Sequence, residues 1–292
     1  MRAFALTLLF ATGVSAQQQD FSKVEVKATK VAGNVYILTG SGGNIGATVG
    51  ADGVAIVDDQ FAPLVPKIQA ALRQLSPGPV RFVINTHWHG DHTGGNPLFA
   101  ETATIMAHLN VRKRLISGGK TPFIEFPPMT GKALPLVTFE QGLSLWWNGE
   151  EVRAIHPGIG HTDGDSVIWF LKSNVVHMGD DYFAGMFPFV DLASGGSVTK
   201  LIEWLDVILG QIPADAKVIP GHGPVTGVAE LRGYRGMLDG VVAAVRKGLA
   251  SGKTVEQMQK EKLLAPYASW NGEFVKADDF IVTVARDLQS KK

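Results

Sequence analysis

The sequence predicts an α/β fold in which sheets and helices pack as a layered sandwich. Two observations carry that expectation. Each half of the chain shows strand-like segments followed by helix-like ones, and no internal period of the solenoid kind competes with this reading. Size adds a third. A chain of 292 residues can bury a large core, and nothing after residue 16 is polar or long enough to mark a domain boundary, so 17–292 reads as a single domain.

Taken in order, Arg2, the apolar stretch Ala3 to Val14 and the small residues Val14-Ser15-Ala16 read as an export signal cleaved after Ala16. The apolar run is too short to span a bilayer. The mature chain is therefore expected in a periplasm or outside the cell, with no membrane attachment. Val24-Glu25-Val26-Lys27 and Asn34 to Leu38 alternate as short strands, and Gly40 to Gly46 is a glycine-rich turn. Ala47 to Val49 and Val54 to Val57 read as a hairpin around Gly50-Ala51-Asp52-Gly53. Leu64, Ile68, Ala71, Leu72 and Leu75 have helical spacing, which Pro77-Gly78-Pro79 ends. Val80 to Ile84 is an apolar strand that runs straight into a cluster of histidines. His108 to Ile116 reads as a helix, and Ser117 to Pro135 as a long irregular stretch carrying Phe123, Phe126 and Met129. Leu143 to Trp147, Val152 to Ile155, Val167 to Leu171 and Val175 to Met178 are successive strands. Val198 to Leu209 is an amphipathic helix, Lys217 to Pro220 a strand, and from about Val228 the pattern is mostly helical.

Lys+Arg and Asp+Glu both number 27, and the zero net charge argues against a broad nucleic-acid footprint. A small-molecule substrate is the expected partner. The chain has no cysteine, which excludes disulfides, thiolate-ligated clusters and a cysteine nucleophile. Any metal must be held by His, Asp or Glu.

Of the 8 histidines, His87, His89 and His92 fall within one short run, Thr86-His87-Trp88-His89-Gly90-Asp91-His92. His87 and His89 are two apart at a strand end, so in extended backbone their side chains share a side and can grip one metal. Gly90 lets the chain turn and aim Asp91 and His92 at a second metal nearby. Three further residues sit at predicted strand ends beside glycine: His161 in Gly160-His161, Asp180 in Gly179-Asp180, and His222 in Gly221-His222-Gly223. Strand-end loops are where a rigid sheet displays reactive groups. Each alone is weak, but together with the first run they form a strong signal.

This pattern resembles the metallo-β-lactamase superfamily. The match runs roughly over residues 30 to 230 and takes in the Val54 to Asp58 strand, His87-x-His89-x-Asp91-His92, His161, Asp180 and His222. The resemblance implies an αβ/βα four-layer sandwich with a two-metal site between its sheets. It places His87, His89 and His161 on one metal and Asp91, His92 and His222 on the other, with Asp180 bridging them. Asp58 would support the site from behind, and Asp91 is the candidate catalytic residue. A ligand set of nitrogen and oxygen rich in histidine suits two Zn2+ ions best, with iron or manganese as alternatives. Divalent zinc lowers the pKa of bound water from about 15.7 to about 7, so a shared water can attack a carbonyl carbon.

Dedicated β-lactamases of the superfamily carry cysteine or typically serine where Asp180 stands, whereas glyoxalase II enzymes and lactonases carry aspartate. The expected function is thus an exported dinuclear zinc hydrolase of a small ester, lactone or β-lactam-type cyclic amide. A glyoxalase II-like thioester hydrolase and a non-catalytic metal-binding relative are the alternatives. Ser117 to Pro135 and the aromatics Tyr182, Phe183, Phe187 and Phe189 are candidates for the substrate wall. Lys120 and Lys132 read as solvated, and His108, His156 and His177 as structural.

Overall fold

A computed structural model describes residues 20–121, 125–272 and 274–290. The export signal read at 1–16, and Phe123, lie outside these described residues. The first sheet has strands β1 (Lys27–Ala32), β2 (Val35–Thr39), β3 (Ile45–Gly50), β4 (Gly53–Val57), β5 (Val80–Asn85) and β6 (Thr104–His108). A small ribbon, β7 (Gly119–Lys120) with β8 (Glu125–Phe126), follows, and then β9 (Val137–Phe139). The second sheet contains β10 (Gly142–Trp147), β11 (Glu150–Ile155), β12 (Val167–Phe170), β13 (Val175–His177), β14 (Lys217–Ile219) and β15 (Thr226–Gly227). The helices are α1 (Val65–Arg73), α2 (Gly90–Thr93), α3 (Asn96–Phe99), α4 (Leu109–Ser117), α5 (Val198–Leu209), α6 (Val228–Ala250), α7 (Val255–Lys260) and α8 (Ala277–Gln289).

One sheet has the order β1-β2-β3-β4-β5-β6-β9 and the other the order β10 through β15. The strands β4, β5, β6 and β9 are mutually parallel, as are β13 and β14. Parallel strands are covered on both faces, which is why β5 has apolar residues at consecutive positions rather than in alternation.

Three apolar clusters define four layers. Ile68 and Leu72 of α1 pack on Leu38, Ile45, Ile56 and Val83. Ile37, Val57, Ile84 and Met106 of the first sheet meet Val152, Ile168, Phe170 and Ile219 of the second. The outer face of the second sheet is covered by α5, α6 and α8 through Leu205, Leu238, Val241 and Phe280. The αβ/βα sandwich is therefore the observed fold.

Two details differ from the sequence reading. The first strand is Lys27–Ala32 rather than Val24–Lys27, because Gly33 turns with φ +51° and fixes the register of β1 on β2. As an exposed edge strand it carries little apolar alternation to announce it. The short strands β6 and β9 were not foreseen; β6 is parallel and largely buried, so it too lacks alternation.

Candidate metal centre

The carboxyl ends of β4 and β5 in one sheet converge with those of β13 and β14 in the other. Asp58 follows β4, and His87, His89 and the one-turn helix α2 with Asp91 and His92 follow β5. Asp180 lies just beyond β13, His222 just beyond β14, and His161 in the loop between β11 and β12. The two sheets are tied here by Asn44, whose Nδ2 donates to Pro220 O and Gly223 O, both at 2.9 Å.

All seven expected ligands come together. His87, His89, His161 and Asp180 form one group and Asp91, His92 and His222 another, and within each group the ligand atoms lie within 4.8 Å of one another. Asp180 stands between the groups. Its Oδ2 is 3.8 Å from His87 Nε2, 3.6 Å from His161 Nε2 and 3.4 Å from His222 Nε2, while its Oδ1 is 3.1 Å from His92 Nε2. Asp91 Oδ2 is 3.6 Å from His92 Nε2 and 3.3 Å from His222 Nε2. A Cβ on Gly221 would collide with Asp180 Oδ1, so only glycine lets the turn after β14 pass this carboxylate.

The outward nitrogens of four imidazoles are held by the fold. His92 Nδ1 donates to Asp58 Oδ2 at 2.7 Å. That same oxygen accepts the Thr86 hydroxyl at 2.7 Å, and since the hydroxyl proton is used there, His87 Nδ1 donates to Thr86 Oγ1 at 3.0 Å. His161 Nδ1 donates to Phe189 O at 2.7 Å, and His89 Nε2 donates to Asp191 Oδ2 at 3.1 Å. Asp58 therefore supports two ligands at once, and it does so from a left-handed backbone conformation at φ +62°, which is unfavourable for a residue with a side chain.

These assignments test whether a cation fits. With their outer nitrogens donating, His89 Nδ1 and His161 Nε2 face each other at 2.9 Å as two lone pairs. His87 Nε2 is buried without a hydrogen-bond partner, and His92 Nε2 and Asp180 Oδ1 are buried facing each other at 3.1 Å. Buried polar atoms are ordinarily satisfied. A divalent cation satisfies both groups at once, and the nitrogen and oxygen donor set suits one.

The electrostatics are split in sign. Burial lowers the His222 imidazole, but the Asp180 and Asp91 carboxylates outweigh burial and hold it at about 9. His92 is likewise raised well above the ordinary range against its burial, by Asp180, Asp91 and Asp58. Burial raises Asp91, yet His92 and His222 bring it down to about 2. By contrast burial pushes His87 well down and His161 down, leaving both neutral. One group is thus ready to bind a cation, while the other holds protons that a cation must displace.

Sequence reasoning missed Asp191. It is buried, orients His89, and also accepts from Ser194 N at 3.1 Å. It lies in Phe187-Pro188-Phe189-Val190-Asp191, with no adjoining glycine or strand end to flag it. The aromatic run divides: Tyr182, Phe183 and Phe187 belong to the core, although Phe183 stacks on His222 at 5.1 Å. Phe189 lies 5.9 Å from His89 and 5.8 Å from His161, ring to ring. His177 donates through Nε2 to Asn44 O at 3.0 Å, and His108 stacks on His156 at 3.9 Å, both outside the two ligand groups. Lys120 and Lys132 are exposed.

Comparison with known proteins agrees with this geometry. A family model described as the metallo-beta-lactamase superfamily matches residues 29–222. The chain is 30% identical over 161 residues to the 2,4-dinitroanisole O-demethylase subunit alpha of a Nocardioides species, covering 53% of this chain and 46% of that one. It is 28% identical over 150 residues to the lactamase-like protein nscB of Neosartorya fischeri, covering 51% and 38% of the two chains. The chain thus spans less than half the length of either relative. Among solved structures, the metallo-beta-lactamase from Pontibacter korlensis superposes with a TM-score of 0.62 at 17% identity, over 74% of this chain and 99% of the other. The DIM-1 metallo-beta-lactamase gives 0.61 at 19%, over the same shares. At such identities the likeness shows the fold.

Two outcomes follow. The folded His222 value, about 9, lies above its ordinary 6.5, so the stabilisation from its proton is present at low pH and lost as pH rises through 9. Zinc titrated calorimetrically at pH 7 should therefore release protons, with an apparent enthalpy that varies with buffer ionisation heat, and zinc affinity should climb from pH 7 to 9. Replacing Asp191→Ala should weaken zinc binding about 10–100-fold in chelator competition, since it removes the acceptor that orients His89.

Proposed function

The chain belongs to the metallo-beta-lactamase superfamily, and we propose that it is an exported hydrolase using two divalent ions, zinc foremost, on a small ester, lactone or β-lactam-type cyclic amide. The superfamily consists generally of hydrolases. The observation that supports the two-ion reading is the Asp180 carboxylate facing both ligand groups. His87, His89 and His161 would hold one ion and Asp91, His92 and His222 the other, with Asp180 shared. Bound zinc would supply a water acidified to near neutral pH and Lewis acidity toward a carbonyl oxygen.

The chain's own residues arrange the rest. Asp91 has 21% of its side chain exposed, against 11% for His222 and 5% or less for His87, His92, His161 and Asp180. Its carboxylate is ionised, held at about 2 by His92 and His222 against its burial, and as the most exposed of these ligands it can accept a hydrogen bond from an attacking water and orient it. Phe189 and Phe183 pack on the imidazoles and limit water access to them. The export signal read at the N-terminus and the balanced charge support a small-molecule substrate outside the cytoplasm, without nucleic acid or membrane as partner.

A panel assay on the zinc-loaded protein tests this. It should contain a chromogenic cephalosporin, an acyl-homoserine lactone, an aryl ester and a glutathione thioester. An aryl methyl ether joins them because one relative is named an O-demethylase. At least one carbonyl substrate should be cleaved, chelator should abolish cleavage, and Asp91→Ala should lower kcat about 100-fold or more. Cleavage of no carbonyl substrate, or an unchanged rate in Asp91→Ala, would overturn the reading.

A further inference from the structure

Beside the ligand groups lies a cavity of about 530 Å³ walled by Phe61, Trp88, Pro97, Leu115, Phe126 and Met129. Its surface is mostly apolar, and Glu125, an exposed residue, is the charged side chain among its described lining residues. Such a volume is in the range of ligand sites, and an apolar enclosure of this kind favours apolar groups by removing them from water.

Two rings of the cavity wall stand beside the ligand groups. Phe126 stacks on His89 at 5.8 Å with 27° between the planes, and meets Trp88 edge-on at 5.3 Å. It lies so close over Gly90 that a Cβ there would collide with it. Phe61 borders the other group: its Cε2 and the Cβ of Asp91 both lie 3.0 Å from the point where a Cβ on Gly42 would stand. The wall thus stacks on a ligand of one group through Phe126 and passes near a ligand of the other through Phe61. The β7–β8 ribbon and a hydrogen bond of 2.7 Å from Met129 N to Leu115 O hold its outer side in place.

No described lysine or arginine forms an ion pair with any of the seven ligands; their partners are each other and Asp58 or Asp191. Lys113, Arg114 and Lys120 line a neighbouring hollow that shares Trp88 and Gly118 with this one. A substrate carboxylate placed between Phe61 and Phe126 would lose its hydration and gain no partner.

We propose that the cavity between Phe61 and Phe126 receives the non-reacting part of the substrate and selects an uncharged alkyl or aryl group, making this an esterase or lactonase of neutral apolar substrates. This rests on the hydrolase reading above. Transfer of each methylene out of water is worth about fourfold in kcat/KM, up to the length that fills the cavity.

The test is a series of p-nitrophenyl esters on the zinc-loaded protein, from acetate through butyrate to octanoate, with the anionic hemisuccinate alongside. Expected are a rise of about fourfold per methylene, a hemisuccinate at least about tenfold poorer than butyrate, and a collapse of the octanoate-to-acetate ratio in Met129→Glu and in Ala133→Phe. A flat series, or a preferred hemisuccinate, would overturn the inference while leaving the hydrolase reading intact. Hydrolysis of no ester would count against the hydrolase reading, and a second measurement then decides the cavity alone. Metal-stripped protein should enhance the fluorescence of the neutral probe N-phenyl-1-naphthylamine, and Met129→Glu should remove that enhancement. No enhancement in the parent protein would overturn the inference.

Discussion

The Asp180 carboxylate is 5% exposed, yet it faces the inward nitrogens of four imidazoles drawn from three separated parts of the chain. A carboxylate buried without compensation costs several kcal/mol, so its place is tenable only while those imidazoles, or a cation, stand around it. The architecture follows from that constraint. Strands of both sheets must end together, the turn after β14 must carry Gly221 to pass the carboxylate, and the loop bearing His161 must fold inward across the seam.

Behind the ligands, orientation is set by hydrogen bonds. Asp58 fixes His92 directly and His87 through Thr86, while Asp191 fixes His89 and the Phe189 carbonyl fixes His161. Each outward bond settles which nitrogen carries the proton and turns the other inward. The strained backbone at Asp58 is sustained by this hub, since its side chain also accepts from Thr86 N at 2.7 Å. Preorganisation of this kind, rather than any single contact, holds the donors in their arrangement, on a fold shared with solved metallo-beta-lactamases at 17–19% identity.

Much of this was legible in the residues. The long helices α5 and α6, the strands of the second sheet and the layered sandwich followed from period and order, and the seven donors announced themselves by short spacing or by glycine at strand ends. What was not legible has physical reasons. The edge strand β1 and the short buried β6 carry no alternation. Asp191 reaches the centre from an irregular loop, where contact depends on the path of the backbone and not on local pattern. The C-terminal segment, mostly helical as expected, does more than cover the sheet: Phe274 lies 5.4 Å from the His222 ring, and Phe187 N donates to Trp270 O at 2.7 Å. No helical periodicity could have placed Phe274 beside a ligand so much earlier in the chain.

The proposed function requires that this chain hold two divalent ions around a shared Asp180. Anomalous diffraction at the zinc edge from zinc-soaked crystals measures it most directly. Two peaks are predicted, one among His87, His89 and His161 and one among Asp91, His92 and His222, each within coordinating distance of an Asp180 oxygen. A single peak at full occupancy, or two peaks with Asp180 turned away from either, would contradict it.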